Sequence, residues 1–435
     1  LTNRPRSRDK TIDKIFLVAE EGLEYEHRRI DEDLYEIFNR CNDKNDKVGT
    51  KKRFSALHRL LLAVERTKMY DKNRVGNHSV PKNSGHNNFY FALSEIAHYH
   101  KKWIREPEDW VARSHNPIRQ FSSLTRHLFA KYEVPLFFDS AWFQTNPSQQ
   151  QWFIFVAQGG NIRKASDLPF PLTKKMAHYM MQAPNDYTVD DALRWGQIHG
   201  LGGNERLVKA ILGSRIGRFS HGQVNGEFWQ SVIHFFVNNS MMDMNQLGPI
   251  VDYIHAQKFQ PQEPVIVDGF ARQLGPPQPN FSMKGRTVES LLRQTEAWHK
   301  QINRRTRRGR TLNHYSWDLC GIDGFYKVEG KAPKQRIFTI SELFNTKQLL
   351  EEGRAMGHCV GSYGHSCKTG RCAIFSMTRD IGAGIERLLT IEVSPHTRQI
   401  KEARMKRNDP PNQECRKILE QWARKEDLSF CRWVF

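Results

Sequence analysis

The chain lacks any run of about eighteen apolar side chains, so no segment of its 435 residues is long and apolar enough for a membrane-spanning helix. Its opening, Leu1-Thr-Asn-Arg-Pro-Arg-Ser-Arg8, is basic but leads into no apolar core, which argues against a secretory signal. It does not begin with Met, which suggests a fragment or a reassigned start. Cysteine is sparse and lopsided: six of the seven fall after residue 319, and no CxxC pair occurs. Such a set makes a poor disulfide framework and fits a reducing cytoplasm. No internal period repeats cleanly, which removes the named repeat folds. No basic amphipathic helix carries an aromatic face, so a membrane surface is a weaker partner than nucleic acid.

What the chain has is positive charge. Lys and Arg number 66 against 47 acids, a formal net charge of +19. An excess of that size attracts polyanions over long range and makes RNA or DNA the first partner to consider. Apolar content of 38% with 26% charged residues suits a folded, soluble protein rather than a disordered one. The length predicts more than one domain.

The pattern divides into a helical region over 1–139, a run of short helices over 140–259, a proline-rich linker over 260–283 and a basic unit over 284–435. Apolar residues at three- and four-residue steps predict helices from Thr11, over Phe54–Met69, Phe89–Ile104 and Phe121–Tyr132, with a loop over Asn73–Asn88. Pro171 suits a first helical turn, Thr188 with Asp191 resembles a capping box, and Asn204 suits an N-cap. Trp195, Trp229, Phe235 and Phe236 read as core. From Lys284 to Arg310 nine basic residues stand against two acidic ones, a net of +7, ending in Arg304-Arg-Thr-Arg-Arg-Gly-Arg310. Beyond it, Arg336–Ile340, Ala373–Met377, Leu388–Val393 and Arg398–Ala403 read as strands. Ser341 is placed as the cap of a helix through Leu350, and Gln413–Lys425 as a closing helix. The expected fold is mainly α, with a helical N-terminal region and a small α+β C-terminal domain built on an antiparallel meander.

Polar chemistry is densest in Met356-Gly-His-Cys-Val-Gly-Ser-Tyr363 and in the strand Leu388-Leu-Thr-Ile-Glu-Val393. Together with Leu350-Glu-Glu-Gly353, Ala373-Ile-Phe-Ser376, a basic strand ending near Asn408 and a helix ending in Trp422, the block resembles the PcfJ-like proteins over roughly residues 285–428. That resemblance implies a setting on conjugative plasmids or other mobile elements. It implies little about mechanism. A chain this basic also leaves room for a partner protein encoded on the same element. Glu402 and Met405 stand where the family tends to have Gln and Gly.

Three chemistries suit the block. Cys359 can be a nucleophile, with His365 or His396 as base and Glu392 orienting it. His358, Cys359, Cys367 and Cys372 are of the residue types that bind zinc, although no other cofactor is expected and the spacing matches no zinc motif. The leading reading is a nucleic-acid-facing element. In it, His358 and Tyr363 stack on bases, while Arg304, Arg305, Arg307, Arg308, Arg310, Arg404, Lys406, Arg407 and Asn408 meet phosphates. A metal-independent nuclease is its catalytic variant, with His358 as acid or base and Glu392 or Tyr363 assisting. A non-catalytic scaffold is the remaining alternative.

Overall fold

The computed structural model describes residues 47–65, 67, 69, 89–144, 146–217, 219, 225–262, 265–267, 270–272, 274–305, 315–330, 335–382, 384–431 and 434. The chain divides into two compact units, residues 1–196 and 197–435. The division falls inside the stretch read as one helical array. The helix expected from Thr11 and the loop expected over Asn73–Asn88 lie outside the described residues.

The N-terminal unit is helical among its described residues: α1 (Lys47–Glu65), α2 (Phe89–His98), α3 (Pro117–Phe129), α4 (Pro147–Ala157), α5 (Lys174–Met181) and α6 (Val189–Gly200). Its starts follow local chemistry. Asn116 accepts from the Arg119 amide at the head of α3, with Pro117 in the first turn, where its missing N–H costs nothing. Thr188 and Asp191 form the reciprocal box expected from sequence: each backbone N–H donates to the other's side chain at 3.1 Å. Pro171 lies before α5 rather than in its first turn, because Thr173 caps that helix. Phe129, Trp142 and Phe153 stack and cross at the centre of the unit's core.

The C-terminal unit begins with α7 (Glu205–Leu212), α8 (Gly226–Asn238) and α9 (Leu247–Lys258). Asn204 caps α7 as expected, accepting from the Leu207 amide at 3.0 Å. Within the stretch expected as linker, β1 (Val265–Val267) and β2 (Phe270–Arg272) pair as a small antiparallel ribbon. Helix α10 (Val288–Arg305) follows.

Six strands then form one sheet: β3 (Phe325–Glu329), β4 (Arg336–Leu343), β5 (Ala373–Asp380), β6 (Ile385–Ser394), β7 (Gln399–Arg404) and β8 (Ser429–Phe430). The strands β3 to β7 lie in chain order, each antiparallel to the next; β8 closes parallel to β7. The meander is therefore the expected one, lengthened by a strand at each end. Ser341 does not cap a helix. It pairs with Ser376 inside β4, and Asn345 caps α11 (Thr346–Met356) instead.

Alternation along the strands gives the sheet two faces. One carries Phe338, Ile340, Phe375, Met377, Leu389, Ile391 and Val393, and packs on α13 (Gln413–Lys425) through Ile418, Leu419 and Trp422. The Phe375 and Trp422 rings lie 4.8 Å apart, and the indole N–H donates to the Asp323 carbonyl. The other face carries Leu343 and Ile374. It is covered by Leu349 of α11, by Val360 and by the cysteines Cys367 and Cys372, with α12 (Gly364–Lys368) in this layer.

Candidate functional site

The Met356–Tyr363 block is the hinge of that second layer. Helix α11 ends at Gly357, whose φ of +72° gives the left-handed cap that glycine adopts without strain. Chain reversal then brings His358 and Gly361 back onto α11. A Cβ on Gly353 would stand 2.9 Å from the His358 carbonyl, so only glycine fits there. His358 is extended, and residues Cys359–Tyr363 form one 3-10 turn leading into α12.

Around this turn the unit gathers a polar cluster, and much of it comes from the preceding helices. Arg215, just beyond α7, donates Nε to Asp252 of α9 at 3.0 Å. Its guanidinium stands 5.2 Å from the centre of the Tyr363 ring. Arg215 is held well above the ordinary arginine value: burial opposes its charge, but Tyr363, Asp252 and Glu392 more than offset this. Exposure of about a third of its side chain keeps this group in partial contact with water.

Three histidines border the cluster, and all are shifted towards the neutral form. Burial pushes His358 down to about 4, with His299 acting in the same direction and Asp252 opposing. Burial likewise takes His255 to about 4, helped by Arg215 and Arg371 and opposed by Asp252. His299 of α10 is also lowered by burial, against Asp252. Nε2 of His358 and Nε2 of His299 are both buried, with no hydrogen-bond partner among the described residues.

The sheet contributes carboxylates. Glu392 of β6 lies directly opposite Glu402 of β7. Burial raises the Glu402 carboxyl, although Arg404 donates to it at 3.0 Å. A third acid, Glu352 of α11, is fully buried and accepts from Thr390, Ser376 and Arg387 at 2.7, 2.9 and 2.9 Å. Its carboxyl is raised by burial, against those three donors.

The residues singled out from sequence fare unevenly. His358 and Glu392 come together only indirectly: His358 feels the charge of Asp252, and Glu392 acts on Arg215, the partner of Asp252. Tyr363 is half-buried with a cation over its ring, which leaves that face unavailable for the expected base stacking. His358 turns a buried nitrogen inward rather than presenting an open ring. Arg404 is engaged by Glu402, Lys406 is exposed, and Asn408 adopts a left-handed φ of +66°. Arg304 and Arg305 end α10, their side chains lying outside the described atoms, as do those of Cys359 and Arg407. Arg307, Arg308 and Arg310 lie outside the described residues altogether.

Among the described residues no three His, Cys, Asp or Glu side chains gather closely enough to hold a metal ion. Of the zinc set, Cys367 and Cys372 do meet, their sulfurs 3.9 Å apart. Sequence reading missed Arg215, Asp252, His255 and His299. One signal was available: Asp252 and His255 interrupt the apolar run Ile250-Val-Asp-Tyr-Ile-His255, three residues apart on one helix face.

No curated protein and no solved structure matches the chain. The segment from α10 into α13, residues 294–419, which holds the His358–Tyr363 turn and every strand from β3 to β7, matches the family model described as PcfJ-like protein.

Proposed function

We propose that the C-terminal unit binds nucleic acid, RNA or DNA, through the exposed side of the layer formed by α11 and α12. The observation that supports this reading is where uncommitted cations stand. On the α13 side, Arg336 and Arg379 are held by Glu329, Glu386 and Glu414. On the α11–α12 layer, Lys347 and Arg354 are exposed, with no carboxylate partner among the described residues. Lys368 lies over the Tyr315 ring at 5.0 Å, and Arg371 donates to the Thr369 hydroxyl rather than to an acid. Lys347 and Arg354 are two turns apart on one side of α11, about 11 Å along its axis. Glu351 shares that side and forms no ion pair with either among the described residues. The mobile-element setting that the PcfJ-like resemblance implies belongs to this reading, as does a partner protein encoded on the same element.

The test is binding of labelled single-stranded RNA, single-stranded DNA and duplex DNA over a range of salt. The variant combines Lys347→Ala, Arg354→Ala, Lys368→Ala and Arg371→Ala. The expected change is weaker binding, with the log–log salt slope shallower by about 0.7–0.9 for each phosphate contact removed. An unchanged slope in all three ligands would sink the reading.

Phosphodiester cleavage is the second reading, favoured by the two imidazole nitrogens of His358 and His299 that have no partner among the described residues. A neutral imidazole can accept a proton, and a pair can accept and return one. Burial of both nitrogens requires a local opening before a phosphate reaches them. Equal decay of mixed RNA and DNA by wild type and His358→Ala, or no decay by either, removes this variant while leaving binding intact.

A further inference from the structure

Cys367 and Cys372 are both buried, at 4% and 5% exposure, and they face each other within the small apolar core of the second layer. Their sulfurs are 3.9 Å apart, and each is the other's hydrogen-bonding neighbour. The chain between them is short and already folded back. Gly370 donates its N–H to the Cys367 carbonyl, Arg371 donates to the Ser366 carbonyl, and Gly370 takes a φ of +69°. Closing a sulfur–sulfur bond of about 2 Å therefore needs the two atoms to approach by roughly 2 Å, within a turn that already points them together.

We propose that Cys367 and Cys372 are a thiol-oxidation site, closing to an intrachain disulfide by exchange with a small disulfide such as oxidised glutathione. The first step is attack by the Cys367 thiolate on one glutathione sulfur. A protein–glutathione disulfide forms, and the other glutathione leaves, taking up the proton lost by Cys367. In the second step the Cys372 thiol loses its proton and its sulfur attacks the Cys367 sulfur. The mixed disulfide breaks and the second glutathione leaves with that proton. Two protein thiols are oxidised, and one glutathione disulfide is reduced to two thiols.

The order of attack follows from the surroundings. Cys367 lies on α12, the short element that has to open, whereas Cys372 directly precedes β5 and is held protonated by the neighbouring Cys367, by burial and by Glu392, with Arg215 opposing; Cys367 is therefore the attacking thiol and Cys372 the resolving one. Burial of both sulfurs makes the exchange depend on transient opening of α12. That helix is only five residues long, Gly364–Lys368, so few backbone hydrogen bonds have to break for it to open. The bond ties the end of α12 to the residue before β5. It thereby fixes the turn that follows Tyr363, whose ring faces Arg215.

The experiment treats the full chain with oxidised glutathione, blocks remaining thiols by alkylation and maps the peptides by mass. The expected product carries a Cys367–Cys372 link and has lost two hydrogens, while the other five cysteines, Cys41, Cys320, Cys359, Cys415 and Cys431, are alkylated once the chain is unfolded. Hydrogen exchange of amides 364–372 slows by about tenfold in the oxidised form. Cys372→Ser retains a glutathione on Cys367; Cys367→Ser gains none on Cys372. Two results overturn the proposal: alkylation of both cysteines after a treatment that oxidises the urea-unfolded chain, or linkage of either one to another cysteine. The wild-type map decides the matter by itself if a variant does not fold.

Discussion

The carboxylate of Glu352 accepts the hydroxyl of Thr390 at 2.7 Å, and this contact joins helix α11 to the middle of the sheet. Ser376, the cross-strand partner of Thr390, donates to the same carboxylate, and Arg387 supplies a cation at 2.9 Å. An acid this buried is tolerated because its lone pairs are met. Replacing Glu352 by Ala strands two hydroxyls and a guanidinium, and the expected loss is about 1–3 kcal/mol, at the low end because Arg387 is partly exposed. Glu352→Gln keeps an acceptor and is expected to lose less. The check is a urea titration: the midpoint falls in the order wild type, Gln, Ala, with an unchanged slope.

Arg215 and Asp252 give a second expectation. The pair is only partly buried, so water meets part of what a lost partner leaves behind. Arg215→Met leaves Asp252 without this cation and removes the charge over Tyr363. With a third of the arginine side chain in water, the expected cost is about 0.5–1 kcal/mol. The double variant Arg215→Met, Asp252→Asn is expected to recover part of that loss. A double-mutant cycle measures it, and strict additivity would remove the pair from the site.

These two relationships show what was legible in the sequence. Strand alternation from Ala373 to Ala403 and the capping chemistry of Thr188 and Asn204 are local signals, and they predicted the meander and helix starts closely. The Ser341 cap failed because tertiary pairing with Ser376 extended β4, and Asn345 offered a better cap four residues later. Within the site, His358 and Glu392 were visible because their blocks are compact in sequence. Arg215, Asp252 and His299 were not, because they sit on or beside helices whose apolar stripes read as packing. Only the fold brings them to the His358 turn. Glu352 belongs to the Leu350–Gly353 block, but burial of its carboxylate is a property of the assembled layers and has no local signature.

The histidines predict an acid-sensitive unit. Both His358 and His255 have an ordinary value of 6.5 and titrate at about 4 in the fold. Between those values the unfolded chain binds protons that the folded chain refuses. Their contribution to stability is therefore complete above about 6.5 and is lost as pH falls towards 4, at about 1.4 kcal/mol per pH unit for each group. His358→Asn keeps a polar group of similar reach that does not titrate. The expected result is a smaller difference between urea midpoints at pH 7.5 and pH 5 in the variant than in wild type. Equal differences would mean that His358 is not held neutral by the fold.

The last prediction separates two basic surfaces. Lys347, Arg354, Lys368 and Arg371 stand on the α11–α12 layer, while Arg304, Arg305, Arg307 and Arg308 follow one another at and beyond the end of α10. If nucleic acid lies on the layer, removing the first set lowers the salt slope by about 0.7–0.9 per contact, and removing the second changes it less. Contact through both sets would give two reductions, each read from its own variant. Net charge alone gives a different outcome: each quadruple variant loses the same number of charges, so the two would weaken binding equally and on every sequence. Titrating both variants and their combination at three salt concentrations distinguishes a located contact from a diffuse field. A layer variant whose slope stays at the wild-type value would mean that the α11–α12 layer has no special role.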